Sequence, residues 1–213
     1  MAVKPPYSRI APVGNQYRLV LQSGALTLAN GYGTGNSSYG VYSLQWNCST
    51  MDMWITGVSV SFALTTTFTS VQDFSFGLFV QRGYTVAHTG GTKATFTTTT
   101  LSNAYDTKFN GGGANAATYF ATAGTIRMAT TTNLTAGTST IDKYPLYVWP
   151  GFPTDQQQHF LEYFRPGNTP NTTSLRIRNQ EGFQIQPMAT MGAAGVGVLY
   201  VGVEWIEMPT QFQ

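Results

Sequence analysis

Two histidines come first, because imidazole is the side chain that exchanges protons and binds metals near neutral pH. His88 precedes the turn-forming run Thr89-Gly90-Gly91, and His159 stands three residues before Glu162. On a strand, positions i and i+3 point to opposite faces, so His159 and Glu162 do not converge on one metal. A helical turn would unite them, but no helical periodicity surrounds them, and neither histidine is assigned a metal or catalytic role. Paired carboxylates are all that glycoside hydrolysis needs. Glu204 and Glu207 fall on opposite faces by the same spacing rule. Asp155 or Glu162 could meet Glu181 in space, which spacing does not decide; exposed or hydrogen-bonded loop acids are the stronger reading. There is no G-x-S-x-G elbow, no H-E-x-x-H and no P-loop. Gly31-Tyr32-Gly33-Thr34-Gly35-Asn36 is glycine-rich but lacks the strand-to-helix context and lysine of a phosphate cradle. The expectation is a non-enzyme with no metal and no cofactor.

Binding chemistry has more material. Arg176 and Arg178 alternate with Leu175 and Ile177, so both leave one strand face, where they suit a phosphate or a neighbouring subunit's carboxylate. Subunit contact is the preferred functional reading, against solvent exposure or an internal salt bridge. Tyr144, Tyr147, Trp149 and Phe152 form the densest aromatic cluster. Such rings stack on sugars, although core packing or an interface is the commoner use. Lys4 and Arg9 are too sparse for a polybasic tail that neutralises nucleic acid. Sequons at Asn36, Asn47, Asn133 and Asn171 follow from the abundance of Asn and Thr. Cys48 stands alone, which excludes an intrachain disulfide and a cysteine-based zinc site and suits an inert core residue.

The elements that must position these groups follow from composition and period. The chain has 213 residues, 14% aromatic and only 9% charged, with net charge +2. Charge-driven disorder and a dedicated nucleic-acid binder are both disfavoured. No run of ~18 apolar residues exists for a transmembrane helix, and the opening residues carry no apolar core of a secretory signal. Thr, Ser, Asn, Gln and Gly take the place of surface charges. That suits either a subunit packed against its copies or a rigid Thr-rich extracellular domain.

Strand signals dominate. In 54–64, Trp54, Val58, Val60, Phe62 and Leu64 share one face, and Gly57, Ser59, Ser61 and Ala63 the other. Residues 74–81 alternate likewise, and 196–207 place Leu199, Val201, Val203 and Trp205 together. Segments 175–178 and 183–186 flank Asn179-Gln180-Glu181-Gly182, which reads as a hairpin whose glycine takes the φ > 0 position. Weaker strands are expected at 18–22, 41–46, 94–100, 117–121, 125–129, 146–149 and 159–164. Residues 31–40, 110–113 and 130–140 read as long Gly/Thr-rich loops, and 144–153 as a proline-punctuated extended stretch. About ten short strands with polar turns make an all-β antiparallel sandwich or barrel. The expected division is an extended N-terminal arm, 1–16, and one β-sandwich domain, 17–213.

The run Leu175-Arg176-Ile177-Arg178-Asn179-Gln180-Glu181-Gly182-Phe183, then Met191 to Gly195, then Val201-Gly202-Val203-Glu204-Trp205, resembles the ending of small bacteriophage virion proteins. Such proteins are similar to head decoration (cement) proteins and related β-rich capsid-surface subunits. The similarity covers about a sixth of the chain. It implies a jelly-roll or related β-sandwich assembled as a symmetric homo-oligomer, commonly a trimer, on the virion capsid surface, with the major capsid protein of a phage head as partner. No direct nucleic-acid or membrane contact is implied. The helix-containing shell protein of tailed phages differs from this helix-poor chain. A single jelly-roll shell protein is an alternative, against which the sparse basic arm counts.

The expected role is thus a decoration protein that stabilises contacts between capsomers. Lys4, Pro5, Pro6, Tyr7 and Arg9 of the arm are the first interface candidates; Arg176, Arg178, Tyr147, Trp149 and Phe152 are the second. A carbohydrate- or receptor-binding module is the alternative from another class. A glycan-cleaving enzyme would require two acids in one cleft.

Overall fold

The computed structural model describes residues 16–27, 37–67, 75–94, 104–106, 124–149, 160–164, 175–188 and 195–210. Among these residues there are thirteen strands: β1 (Gln16–Gln22), β2 (Tyr42–Trp46), β3 (Met51–Thr66), β4 (Phe76–Val86), β5 (Thr92–Lys93), β6 (Ala104–Asp106), β7 (Gly124–Met128), β8 (Thr138–Ile141), β9 (Tyr147–Trp149), β10 (Phe160–Phe164), β11 (Leu175–Ile177), β12 (Glu181–Pro187) and β13 (Val196–Pro209). Among the described residues the one helical element is a 3-10 turn, Ser37–Tyr39. Strand β1 begins at Gln16, the last residue assigned to the arm.

The pairing is nested. Strand β1 pairs with β13, β2 with β12, β3 with β10 and β11, and β4 with β8 and β9. Early strands thus find late ones in reverse order. The pairs then join as β10-β3-β13-β1-β6 in one sheet and β5-β7-β2-β12-β4-β8 in the other. Every strand pairing among the described residues is antiparallel, and successive strands β1, β2, β3 and β4 alternate between sheets. This is an all-β sandwich with jelly-roll topology.

The two sheets enclose one apolar core. Leu199, Val201, Val203 and Trp205 meet Val58, Val60, Phe62 and Leu64 from the first sheet. Tyr42, Leu44, Trp46, Leu78, Phe183 and Ile185 face them from the second. Trp205 stacks on Tyr17 at 5.5 Å, and Tyr42 on Phe183 at 5.9 Å.

Trp54 departs from the expected face. The β3–β13 register passes from Glu204↔Gly57 to Trp205↔Ile55, so Thr56 is an extra residue. A bulge of this kind inverts the in–out parity before it. Met53 and Ile55 are therefore buried, while Trp54 turns to the outer side.

The 175–186 segment is a second correction. Strand β11 pairs with β3 in the first sheet, whereas β12 pairs with β2 and β4 in the second. The intervening turn carries the chain between sheets instead of closing a hairpin. Its positive φ belongs to Gln180, at 60°. Gly182 is needed for another reason: a Cβ there would lie 2.0 Å from the Leu44 carbonyl oxygen. In the expected loop 130–140, Leu134 is buried and β8 begins at Thr138.

The outer face of the second sheet is polar yet closed. Gln81, Gln184 and Gln186 are all fully buried. Gln81 Nε2 donates to Gln184 Oε1 at 2.9 Å, and Gln184 Nε2 donates to Gln186 Oε1 at 3.0 Å. Gly40 lies against Gln184, and Met188 and Pro145 against Gly77, so connecting segments form a further layer over this face.

Candidate functional site

A cleft of about 480 Å³ opens where the Arg178–Glu181 turn crosses between the sheets. One wall is the middle of β4, with Val80 and Arg82; a second is the β8–β9 connection, with Asp142, Tyr144, Pro145 and Leu146. Leu175 and Arg176 on β11, Arg178 in the turn and Glu181 at the start of β12 complete it.

Backbone bonds fix both walls. The Glu181 N–H donates to the Arg178 carbonyl at 3.0 Å, closing the turn. Gln180 donates to the Trp46 carbonyl at 2.8 Å, and Tyr84 donates to the Gln180 carbonyl at 3.0 Å. The Arg178 N–H donates to Glu181 Oε2 at 2.9 Å. On the opposite wall Asp142 donates to the Val80 carbonyl and Leu146 to the Leu78 carbonyl, at 3.0 and 2.7 Å.

The charges fall into two fixed groups and one free one. Arg82, directly opposite Glu181 in the sheet register, meets Glu181 Oε1 at 3.0 Å and Asp142 Oδ2 at 3.9 Å. Arg176 donates from Nε to Asp52 Oδ2 at 2.7 Å and lies over the Trp54 ring, 5.6 Å from its centroid. The bulge that turns Trp54 outward thus builds the platform for Arg176. Arg178 is exposed, and its guanidinium has no ion pair among the described residues.

Both Arg176 and Arg178 line the cleft together with part of the aromatic-proline stretch. Arg176 is already committed to an internal ion pair. Tyr147 is half-buried and Trp149 is fully buried in the core, so Trp149 offers no surface. Alternation along the stretch leaves Tyr144, Leu146 and Val148 exposed instead. Lys4, Pro5, Pro6, Tyr7, Arg9 and Phe152 lie outside the described residues, as do Asp155, His159, the Gly31–Asn36 run and the Glu162 side chain. Spacing gave no sign of Arg82, Asp142 or Asp52, since each joins the site through pairing between distant segments.

The other polar groups are spent on the fold. His88 Nδ1 lies 3.0 Å from Ser43 Oγ, a nucleophile-and-base spacing, and both residues are buried. Tyr84 approaches the same hydroxyl at 3.4 Å. Burial pushes the Tyr84 phenol far above its usual value, partly countered by Ser43, and burial alone does the same to Tyr42. Glu204 pairs with Arg18 at 3.7 Å, while buried Glu207 accepts from Trp205 Nε1 at 3.3 Å. Cys48 is free and buried. No group of three or more His, Cys, Asp or Glu with metal-site geometry occurs among the described residues. Asp142 and Glu181 share a cleft, but both are held by one guanidinium. The arrangement is therefore suited to recognising a ligand by charge, hydrogen bond and ring contact.

No known protein family matches the sequence, and no curated protein matches it. Among solved structures, a chain from the structure of the infectious bursal disease virus Gx strain aligns at 15% identity and TM-score 0.12. The alignment covers 93% of this chain and 39% of that one, so this chain spans well under half the length of the other. A superposition of that quality carries no argument.

Proposed function

We propose that this chain is a self-assembling structural subunit of a virus particle, with its jelly roll forming the wall of the shell. The observation that carries the reading is the nested pairing of β1 with β13, β2 with β12, β3 with β10 and β4 with β8 and β9. Viral shells use this topology widely, as lectins and cupins also do. The charge-poor surface supplies the second support. Thr, Ser, Asn and Gln are desolvated at less cost than ions, which favours broad contacts between copies.

Attachment to the outside of a phage capsid, as a decoration protein, is the second reading. It rests on the C-terminal resemblance. In the fold that segment supplies three framework strands, β11, β12 and β13, which serve a shell wall equally well. Either role works by mass action: subunits that bind only the assembled particle stabilise it by RT ln(1 + [L]/Kd) per site. The arm with Lys4, Pro5, Pro6, Tyr7 and Arg9 is the segment proposed to reach a neighbour.

Light scattering and negative-stain microscopy of the purified chain across ionic strength test the proposal. Closed particles or large ring-shaped assemblies support the shell role. A stable trimer of about three times 23.1 kDa, with no larger species, supports decoration instead. A monomer under every condition overturns self-assembly. Removing residues 2–15 leaves β1 intact and is expected to weaken assembly; unchanged assembly would reject the arm.

A further inference from the structure

We infer that the inter-sheet cleft is a binding site for a singly charged acidic sugar, one bearing a carboxylate or sulfate among free hydroxyls. The inference goes beyond the virion role and does not rest on it. Its first support is the distribution of charge. Seven of the chain's twenty formally charged side chains stand in or beside this cleft: the three arginines, Lys143, Asp52, Asp142 and Glu181. In a chain that replaces charge with neutral polar groups elsewhere, that concentration marks a place where charge is used.

The second support is the chemistry each group leaves open. Arg178 has its backbone pinned by Glu181 while its guanidinium carries no ion pair among the described residues. It presents a planar fork to one anionic group. Lys143, at the rim, lies 5.4 Å from the Tyr144 ring centroid and likewise shows no ion pair among the described residues. Asp142 and Glu181 are held in place by Arg82 but keep acceptor capacity, because an ionised carboxylate has about four lone-pair sites. Acceptors of that kind call for hydroxyl donors. Tyr144 is 68% exposed, and its ring presents an apolar surface to the cleft edge.

Together these features select among anions. Nucleic acid or polyphosphate brings acceptors and repeated charge, which the two carboxylates repel. A neutral sugar leaves Arg178 unused. A sugar acid supplies donors for the carboxylates, one anion for Arg178 and a ring face for Tyr144. A cleft of about 480 Å³ is within the range of small-ligand sites, roughly 300–1,000 Å³.

The test is calorimetric or NMR titration of the full chain with 3′-sialyllactose, lactose 3′-sulfate, lactose and tripolyphosphate. At least one of the two acidic sugars is expected to bind about tenfold or more tightly than lactose and tripolyphosphate. Arg178→Ala is expected to weaken that binding about tenfold, and Tyr144→Ala several-fold. Both residues are exposed, and circular dichroism checks that the variants fold. Failure of both acidic sugars to bind at about 10 mM overturns the inference. So does equal binding of lactose, preference for tripolyphosphate, or an Arg178→Ala variant with unchanged affinity.

Discussion

Arg176 tests whether the cleft is held from within. Its guanidinium donates to Asp52 Oδ2 at 2.7 Å, and the two side chains are 19% and 4% exposed. At that separation and an effective dielectric near 20, the Coulomb attraction is about 6 kcal/mol, much of it offset by desolvation. Arg176→Met keeps an apolar stem over Trp54 but leaves Asp52 as a buried carboxylate without its guanidinium. Removing one partner of a buried ion pair costs about 3 kcal/mol or somewhat more. For a domain of this size that corresponds to a Tm lower by about 6–12 °C. Asp52→Asn is isosteric and should cost less, and the Arg176→Met/Asp52→Asn pair less than the sum of the two. A coupling energy of about 1.5 kcal/mol or more is expected from the cycle. Urea unfolding followed by tryptophan fluorescence measures all four corners. A cost below about 1 kcal/mol for Arg176→Met, with additive effects, would refute an internal lock. It would return Arg176 to the surface-contact role that its sequence position suggests.

Gly182→Ala should cost about 3 kcal/mol or more, because its Cβ meets the Leu44 carbonyl oxygen and must part β12 from β2. Gly83→Ala, with φ 63° and open space around it, should cost only about 1–2 kcal/mol; equal losses in thermal melts would contradict this contrast. Gln184→Leu interrupts the Gln81–Gln184–Gln186 chain and takes from the buried Gln81 Nε2 its acceptor, for a loss of about 2–3 kcal/mol. A variant within about 0.5 kcal/mol of the parent in urea would count against that network. Tyr42 and Tyr84 keep their protons in the folded protein at pH values where the unfolded chain has lost them. The unfolded state then binds fewer protons, so stability is complete below about pH 10 and falls above it, by up to about 1.4 kcal/mol per pH unit for each tyrosine. Urea midpoints that stay level from pH 9 to about pH 11 would be incompatible with the two burials.

Alternation was the readable part of this sequence. Over 76–81 and 196–207 the period of two puts Phe76, Leu78 and Val80, and Leu199, Val201, Val203 and Trp205, into the core, because no extra residue falls within those stretches. It failed at Trp54, where one extra residue at Thr56 reverses the side-chain direction and no residue type announces the bulge. It failed also at the 175–186 segment. Two alternating runs around a glycine-terminated turn satisfy a hairpin and a sheet-to-sheet crossing equally well. What decides is the competition for β12 between β11 on one side and β2 with β4 on the other. The latter pairings bury Phe183 and Ile185 against the opposite sheet, which a local hairpin does not provide.

The same crossing explains why the cleft was half legible. Arg176 and Arg178 stood out as a pair, and the aromatic-proline stretch as a cluster, but their meeting depends on the chain changing sheets between Ile177 and Glu181. That move sets Glu181 opposite Arg82 and aligns Arg176 with Trp54 across β11 and β3. It also gives the two arginines different fates. Arg176, still on its strand, reaches Asp52 and is neutralised; Arg178, one step beyond the strand, keeps its guanidinium for solvent or a ligand. A strand pattern alone gives both residues the same face and so the same role. The turn that begins at Arg178 divides the pair, leaving one residue to hold the site and the other to use it.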